Sequence, residues 1–363
     1  MSATDNSEAS PPPPAAKPQP GAYVFLARVG ALIAAALLAV LVLVLIIPEG
    51  HDYQLASNLK HDALERHEHK IVLVGGSNLS YGVDSGLLER ATQCPVVNMG
   101  MNGFFGVRFM LEEVKPYLNP GDTVVIAFEH ETYVRPAEGS PESLLVVTKA
   151  NPRTLQALSL QQIFSVAMRY PYAAHQKMLR LLGDQTHAIG RALGLAAAQD
   201  EVDGEAPLTI SQIESFSGFD ARGDLVSHLN IDWPDPPKEE EDVPAFEMTP
   251  EAFALMEDFV EDMSERGVRV IVSYSAAERE FYEKHREAIE SWDARFRENP
   301  AFVVPRSPSD YVFDASMHFD TVYHLNAEGR AIRSQMLAED IVGVFPGASA
   351  CAAPDQPQER PAP

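Results

Sequence analysis

The chain has 363 residues and a formal net charge of −24, from 52 Asp and Glu against 28 Lys and Arg. That balance repels polyanions and argues against nucleic acid or anionic lipid headgroups as partners. The length leaves about 300 residues beyond an apolar N-terminal stretch, enough for one large domain carrying an insertion.

Residues 1–28, with the run Pro11 to Pro14, have too little apolar surface to fold and are expected to form a disordered cytoplasmic tail. Val29 to Ile47 is an unbroken apolar run, close to the ~20 residues a bilayer span needs, and predicts a single-pass transmembrane helix over 29–47. It ends in Leu-Ile-Ile-Pro-Glu without a small-residue cleavage site, which marks an anchor and not a removed signal peptide. Lys17 and Arg28 precede it while Glu49 and Asp52 follow, so the N-terminus is expected in the cytoplasm and the rest outside, periplasmic or extracellular. Residues 48–69, polar and rich in histidine, predict a helical stalk.

Short apolar, β-branched runs predict five strands, at Ile71 to Val74, Pro95 to Asn98, Thr123 to Phe128, Arg269 to Tyr274 and Phe302 to Pro305. Helical patterns lie between them, at Ser85 to Thr92, Val107 to Tyr117, Pro250 to Arg266 and Ala276 to Asn299. A last helix, capped by Asn326, is expected from Ala327 to Val342. The alternation predicts an α/β domain over 70–345, a three-layer α/β/α sandwich on a mostly parallel sheet whose sites form at the strands' carboxyl ends. Residues 143–235 read as a helical insertion, with Leu160 to Leu182 broken near Pro171 and a second segment from His187 to Gln199. Pro234 to Pro244 reads as a charged loop and 346–363 as a disordered tail. Cys94, opening a strand, and Cys351, in that tail, are expected to stay unpaired.

Chemistry concentrates in KIVLVGGSNLSY, Lys70 to Tyr81, where the first strand stops on Gly75 and Gly76 and presents Ser77 at a helix start. A sharp strand-to-helix turn needs glycine and leaves amides facing whatever Ser77 attacks. A second reading has Ser77 only capping the helix, and a third makes the turn a phosphate cradle, against which stands the lack of GxxxxGK[ST]. Leu79 stands where the GxSxG elbow needs glycine. A nucleophilic serine needs a base and a carboxylate to orient it, and FDTVYHLNAEGR supplies Asp320 and His324 before the last helix. Asp314 and His318 repeat the spacing and rank second. After the third strand come Glu129, His130, Glu131 and Tyr133, of which Glu129 or His130 can contact substrate hydroxyls or join His324 at a metal, unless the group merely solvates the loop mouth. No HExxH or cysteine-pair spacing favours a metal, and none is expected. Tyr323 is either a substrate platform or a packing residue; Arg108 either meets an anionic substrate group or caps charge nearby.

Glycine-serine after the first strand, NMGMNG after the second and the Asp/His pair before the last helix resemble the SGNH hydrolase superfamily. The chain also looks like the SGNH-type domains of membrane-anchored bacterial proteins that acetylate exopolysaccharides or D-alanylate cell-wall polymers. The resemblance covers roughly Lys70 to Asn151 and Met248 to Val342. It implies a flavodoxin-like sheet, no cofactor, and a triad with Ser77 as nucleophile, His324 as base and Asp320 as its orienter. Gly100 or Gly103 would supply an oxyanion amide beside that of Ser77. The spacing is DxxxH where the family has DxxH, and the third-block asparagine is replaced by Phe128-Glu129-His130-Glu131, leaving Asn78 or Asn102 as substitute donors. Asn78, Glu129, His130 and Tyr323 are the expected substrate contacts. The implied partners are an acylated glycan or other envelope molecule and a membrane-bound acyl-donor protein. The implied function is an extracytoplasmic esterase or O-acyltransferase, with an inactive glycan-binding or partner-binding accessory protein as the alternative.

Overall fold

The computed structural model describes residues 20–46, 52–192, 209–239, 246–345 and 350–351. They fall into two compact units, residues 1–48 with 170–197, and residues 49–169 with 198–363. The first unit holds α1 (Pro20–Ile46), whose stretch Tyr23–Val40 has mean hydropathy 2.2 and no buried residue. By length and composition α1 can cross a membrane.

The second unit continues with α2 (Ala56–Arg66), β1 (Ile71–Val74), α3 (Ser77–Gly82), α4 (Ser85–Thr92), β2 (Val96–Asn98), α5 (Gly106–Val114), β3 (Thr123–Ile126), α6 (His130–Val134) and α7 (Pro141–Ala150). Then come α8 (Leu160–Ala192), whose part from Tyr170 onward belongs to the first unit, α9 (Ile210–Ile213), α10 (Pro250–Glu265), β4 (Arg269–Val272), β5 (Ala277–Glu278), α11 (Arg279–Glu298), β6 (Val312–Phe313) and α12 (Ala327–Val344). Four strands form one parallel sheet in the order β2-β1-β3-β4, and β5 pairs with β6 apart from it. The pleat sends Ile71, Leu73, Val125 and Ile271 into one core with Leu79, Leu88, Leu337 and Ile341. Elsewhere in the unit α10 packs on α5 and on β4.

The fifth strand does not form. Val303 makes one parallel bridge to Ile271, and then the Val304 and Arg306 carbonyls accept from the Arg297 guanidinium while Pro305 has no amide to give. Nor is there a stalk over the described part of 48–69. Ala56, Ser57, Lys60, His61, Ala63 and Leu64 of α2 are buried, and Lys60 Nζ donates to the carbonyls of Asn98 (2.8 Å) and Gly223 (2.6 Å). Pro171 does not break its helix, since α8 runs through it; a proline forfeits one helical hydrogen bond, which a long helix can carry. Residues 193–199 of the second expected segment, like 1–19 and 352–363, lie outside the described residues.

The cysteines are bonded, contrary to expectation: Cys94 and Cys351 have Cα atoms 5.9 Å apart. Ala350 and Cys351 are buried in the core of α4, β2 and α12, and Thr123 Oγ1 donates to the Ala350 carbonyl at 2.6 Å. Two small apolar side chains in a Pro/Ala-rich stretch are enough to dock it. The 209–239 segment is pinned by buried Asp224, which accepts from Ser85 N and Oγ, Asn98 Nδ2 and Arg330 Nη2 at 2.6–3.0 Å.

Candidate active site

β1 delivers the chain to Gly75, where a Cβ would strike the Ala127 carbonyl and lie 2.7 Å from Leu79 Cδ1. Gly76 precedes α3, and Ser77 is its first residue. The Asp320 and His324 turn is closed by Phe319 N donating to His324 O (2.7 Å), while Thr321 Oγ1 accepts from His324 N (3.2 Å). This tight turn lets a four-residue spacing put carboxylate and imidazole in contact without a helix. Asp320 Oδ1 is 2.7 Å from His324 Nδ1, and His324 Nε2 is 2.8 Å from Ser77 Oγ. Burial works against ionisation of Asp320, but the His324 ring, by charge and hydrogen bond, holds its carboxyl below the ordinary value. A carboxylate so held fixes the tautomer that leaves Nε2 free to accept a proton.

The His324 ring lies flat on Tyr81, centroids 3.8 Å apart and planes 2° from parallel. Tyr81 OH donates to Glu214 Oε1 at 3.0 Å, and its ring meets that of His228, centroids 4.6 Å apart. Sequence reasoning missed Tyr81, though its place four residues after Ser77, one turn along the same helix, was a usable signal. It missed also the cleft walls: a cavity of about 200 Å³ is lined by Tyr53, Gln54, Met101, Arg135 and Glu214 as well as Ser77 and His324. Tyr53 OH donates to the Met101 carbonyl at 2.5 Å, and Arg135 lies over the Phe104 ring at 4.0 Å.

Glu129 is the unusual member. Its Oε1 accepts from Asn78 N (2.9 Å) and Ser77 Oγ (3.2 Å). A Cβ on Gly76 would collide with this carboxylate, and one on Gly103 would lie 3.0 Å from Oε2 and 2.9 Å from Thr132 Oγ1. Asn102 and Gly103 line the cleft beside it.

Other expected site residues lie elsewhere. The Gly100 amide already donates to Asn98 Oδ1 at 3.0 Å, so it is not an oxyanion donor. The Asn78 side chain is fully buried, with Nδ2 on the Ala127 carbonyl at 3.0 Å, where no substrate reaches. His130 and Tyr323 are buried against each other, centroids 5.9 Å apart, and both pack on Phe281. Both are core residues, because the chain turns into α6 at His130 and aims the ring away from the cleft. Arg108 pairs with Glu138 at 2.6 Å. His318 Nδ1 meets the backbone oxygen of Asp314, whose carboxylate pairs with Arg279. In α2, His61 lies against Ser57 and Asn151, and among the described residues no metal-binding group of side chains occurs.

Burial pushes His130 and His228 down to about 3 and His318 to about 4, from an ordinary 6.5. In the unfolded chain each regains the ordinary value, so between about pH 6.5 and 4 the unfolded state binds protons that the folded state refuses. These three histidines therefore lower stability as pH drops through that window, and they outnumber Glu113, whose carboxyl burial raises to about 8 and which works in the opposite sense. The melting temperature should decline steeply from pH 7 to 4.5, and His130→Gln should make that decline shallower. An equal slope in the variant would remove His130 from the account.

Neither a family model nor a curated protein matches the chain.

Proposed function

We propose that the chain is a membrane-anchored serine esterase or O-acyltransferase that works from outside the cytoplasm on acyl groups of a glycan or other envelope molecule. The observation that carries this is the relay Asp320, His324, Ser77, with contacts of 2.7 and 2.8 Å. Ser77 Oγ attacks the ester carbonyl as His324 takes its proton, and His324 then returns the proton to the leaving alcohol. Water or a sugar hydroxyl accepts the acyl group from Ser77. On this reading the fold is a flavodoxin-like three-layer sandwich of the SGNH kind, consistent with the parallel order β2-β1-β3-β4 and with Ser77 at the carboxyl end of β1. α1 is the anchor and keeps the site close to a membrane-bound acyl donor, where tethering raises effective concentration. The Cys94 and Cys351 bond suits an oxidising compartment.

Fluorophosphonate labelling of the full chain in detergent tests this. Wild type should label, and Ser77→Ala and His324→Ala should not. Absence of labelling in folded wild type would favour the accessory-protein reading. One observation supports that alternative: the Glu129 carboxylate sits on the amide beside the nucleophile, where a substrate oxygen would otherwise bind.

A further inference from the structure

We infer that the site has a side pocket for the hydrocarbon chain of the acyl group, so that its substrate is an ester of an acyl group several carbons long. The inference rests on the serine-hydrolase reading and names the acyl class that site takes. A cavity of about 300 Å³ lies between residues 103–106 and 135–142 and shares Gly103, Phe104 and Arg135 with the cleft of Ser77. The nucleophile is close to it. A Cβ on Gly103 would lie 3.0 Å from Glu129 Oε2, and Glu129 Oε1 is 3.2 Å from Ser77 Oγ. A chain leaving a carbonyl bonded to Ser77 therefore reaches the pocket within a few carbons.

The pocket is built into the backbone. Ser140 N donates to the Phe104 carbonyl at 2.8 Å and Arg108 N to the Ala137 carbonyl at 3.1 Å, which draws the two segments together. Where they meet, Gly106 and Gly139 have φ of 81° and 75°, and a Cβ on Gly139 would strike the Phe105 carbonyl. No side chain can stand there, and the space left is bounded by glycine backbone, Phe104, Pro136 and Pro141. The charged side chains at its edge are engaged: Arg135 lies over the Phe104 ring at 4.0 Å, and exposed Glu142 pairs with Arg169 at 2.8 Å. Polarity thus divides between the two cavities as it divides in an acylated hydroxyl compound. Gln54, Glu131, Ser211 and Glu214 in the cleft suit hydroxyls of the alcohol part, whereas glycine, proline and phenylalanine suit a hydrocarbon chain.

The test measures second-order rates of para-nitrophenolate release from para-nitrophenyl acetate, butyrate and hexanoate by the full chain in detergent. Ser77 Oγ bonds to the acyl carbon, its proton passes to His324 and then to water, and the ester C–O bond breaks to free the phenolate. Wild-type rates should rise by about fourfold per buried methylene, about 10² fold from acetate to hexanoate. Pro141→Trp and Glu142→Trp each put a ring at the pocket, from different positions, and each should flatten that rise to below about tenfold. Reading hexanoate against acetate within each protein cancels any general loss. A Ser77-dependent wild-type rate that stays flat or falls with chain length overturns the inference and leaves the hydrolase reading standing, and this arm needs no variant to fold. Equal rises in wild type and both variants overturn it likewise, because the gain then comes from the detergent. No Ser77-dependent release from any ester overturns both readings.

Discussion

Asp320→Asn should slow acylation of Ser77 by about 10⁴ fold while the protein stays folded, a size set by what a wrong imidazole tautomer costs in a serine relay. Asp320 contacts His324 at 2.7 Å, and the carboxylate only accepts. It therefore demands a proton on Nδ1 and leaves the Nε2 lone pair facing Ser77 Oγ. An asparagine amide can donate to Nδ1 and so stabilise the opposite tautomer, which has no lone pair toward Ser77. The turn itself should survive, because the Asp320 contribution to its backbone is a carbonyl accepting from Lys238 N at 3.0 Å, which the substitution keeps. Asp314 cannot stand in, being paired with Arg279. Single-turnover labelling, with circular dichroism to check the fold, decides the matter; a loss below tenfold would remove Asp320 from the relay.

The second large effect concerns stability alone. The Cys94 and Cys351 bond spans 257 residues. In the chain-entropy account, opening a loop of that size costs about 5 kcal/mol, which for a domain of this size lowers the melting temperature by about 10 °C or more. Cys94→Ser should show that drop, as should wild type in a reductant. Labelling rates at low temperature should stay near the unreduced value. The bond lies by the amino ends of the strands, where Cys94 leads into β2 and Thr123 opens β3, whereas Ser77 follows the carboxyl end of β1. Equal melting temperatures with and without reductant would contradict the stabilising role, and a matching fall in labelling of the folded protein would contradict the separation of the two ends.

The parts of this fold that rest on local rules could be read along the chain. β1, β3 and β4 lie within their apolar runs, and Asn326 caps α12 by accepting from Glu328 N and Gly329 N. The contact between Ser77 and His324 could be anticipated because both follow from turn chemistry at one end of a parallel sheet. What could not be read depends on groups far apart in sequence. Phe302 to Pro305 has strand composition, but the Arg297 guanidinium takes the Val304 carbonyl. α2 looks polar and stalk-like, yet Lys60 and His61 are buried because carbonyls and Asn151 receive them. His130 and Tyr323 flank site residues in sequence, and backbone direction alone turns them inward. Glu129 was visible as a departure from a pattern; its hold on Asn78 N needed three dimensions.

The wall supplied by Tyr53 and Gln54 bears on where the chain tolerates a cut. These residues stand only a few positions beyond the last described residue of α1, Ile46, far ahead of the first strand. A cut between Ile46 and Asp52 leaves Tyr53 and Gln54 on the same piece of chain as Ser77 and His324, with the cleft wall complete. A cut between Arg66 and Ile71 would leave α2 and the Tyr53 clasp on Met101 held only by noncovalent contacts, among them the two hydrogen bonds of Lys60 Nζ. The two cuts lie some twenty residues apart, and only the first keeps the cleft wall covalently tied to the strands.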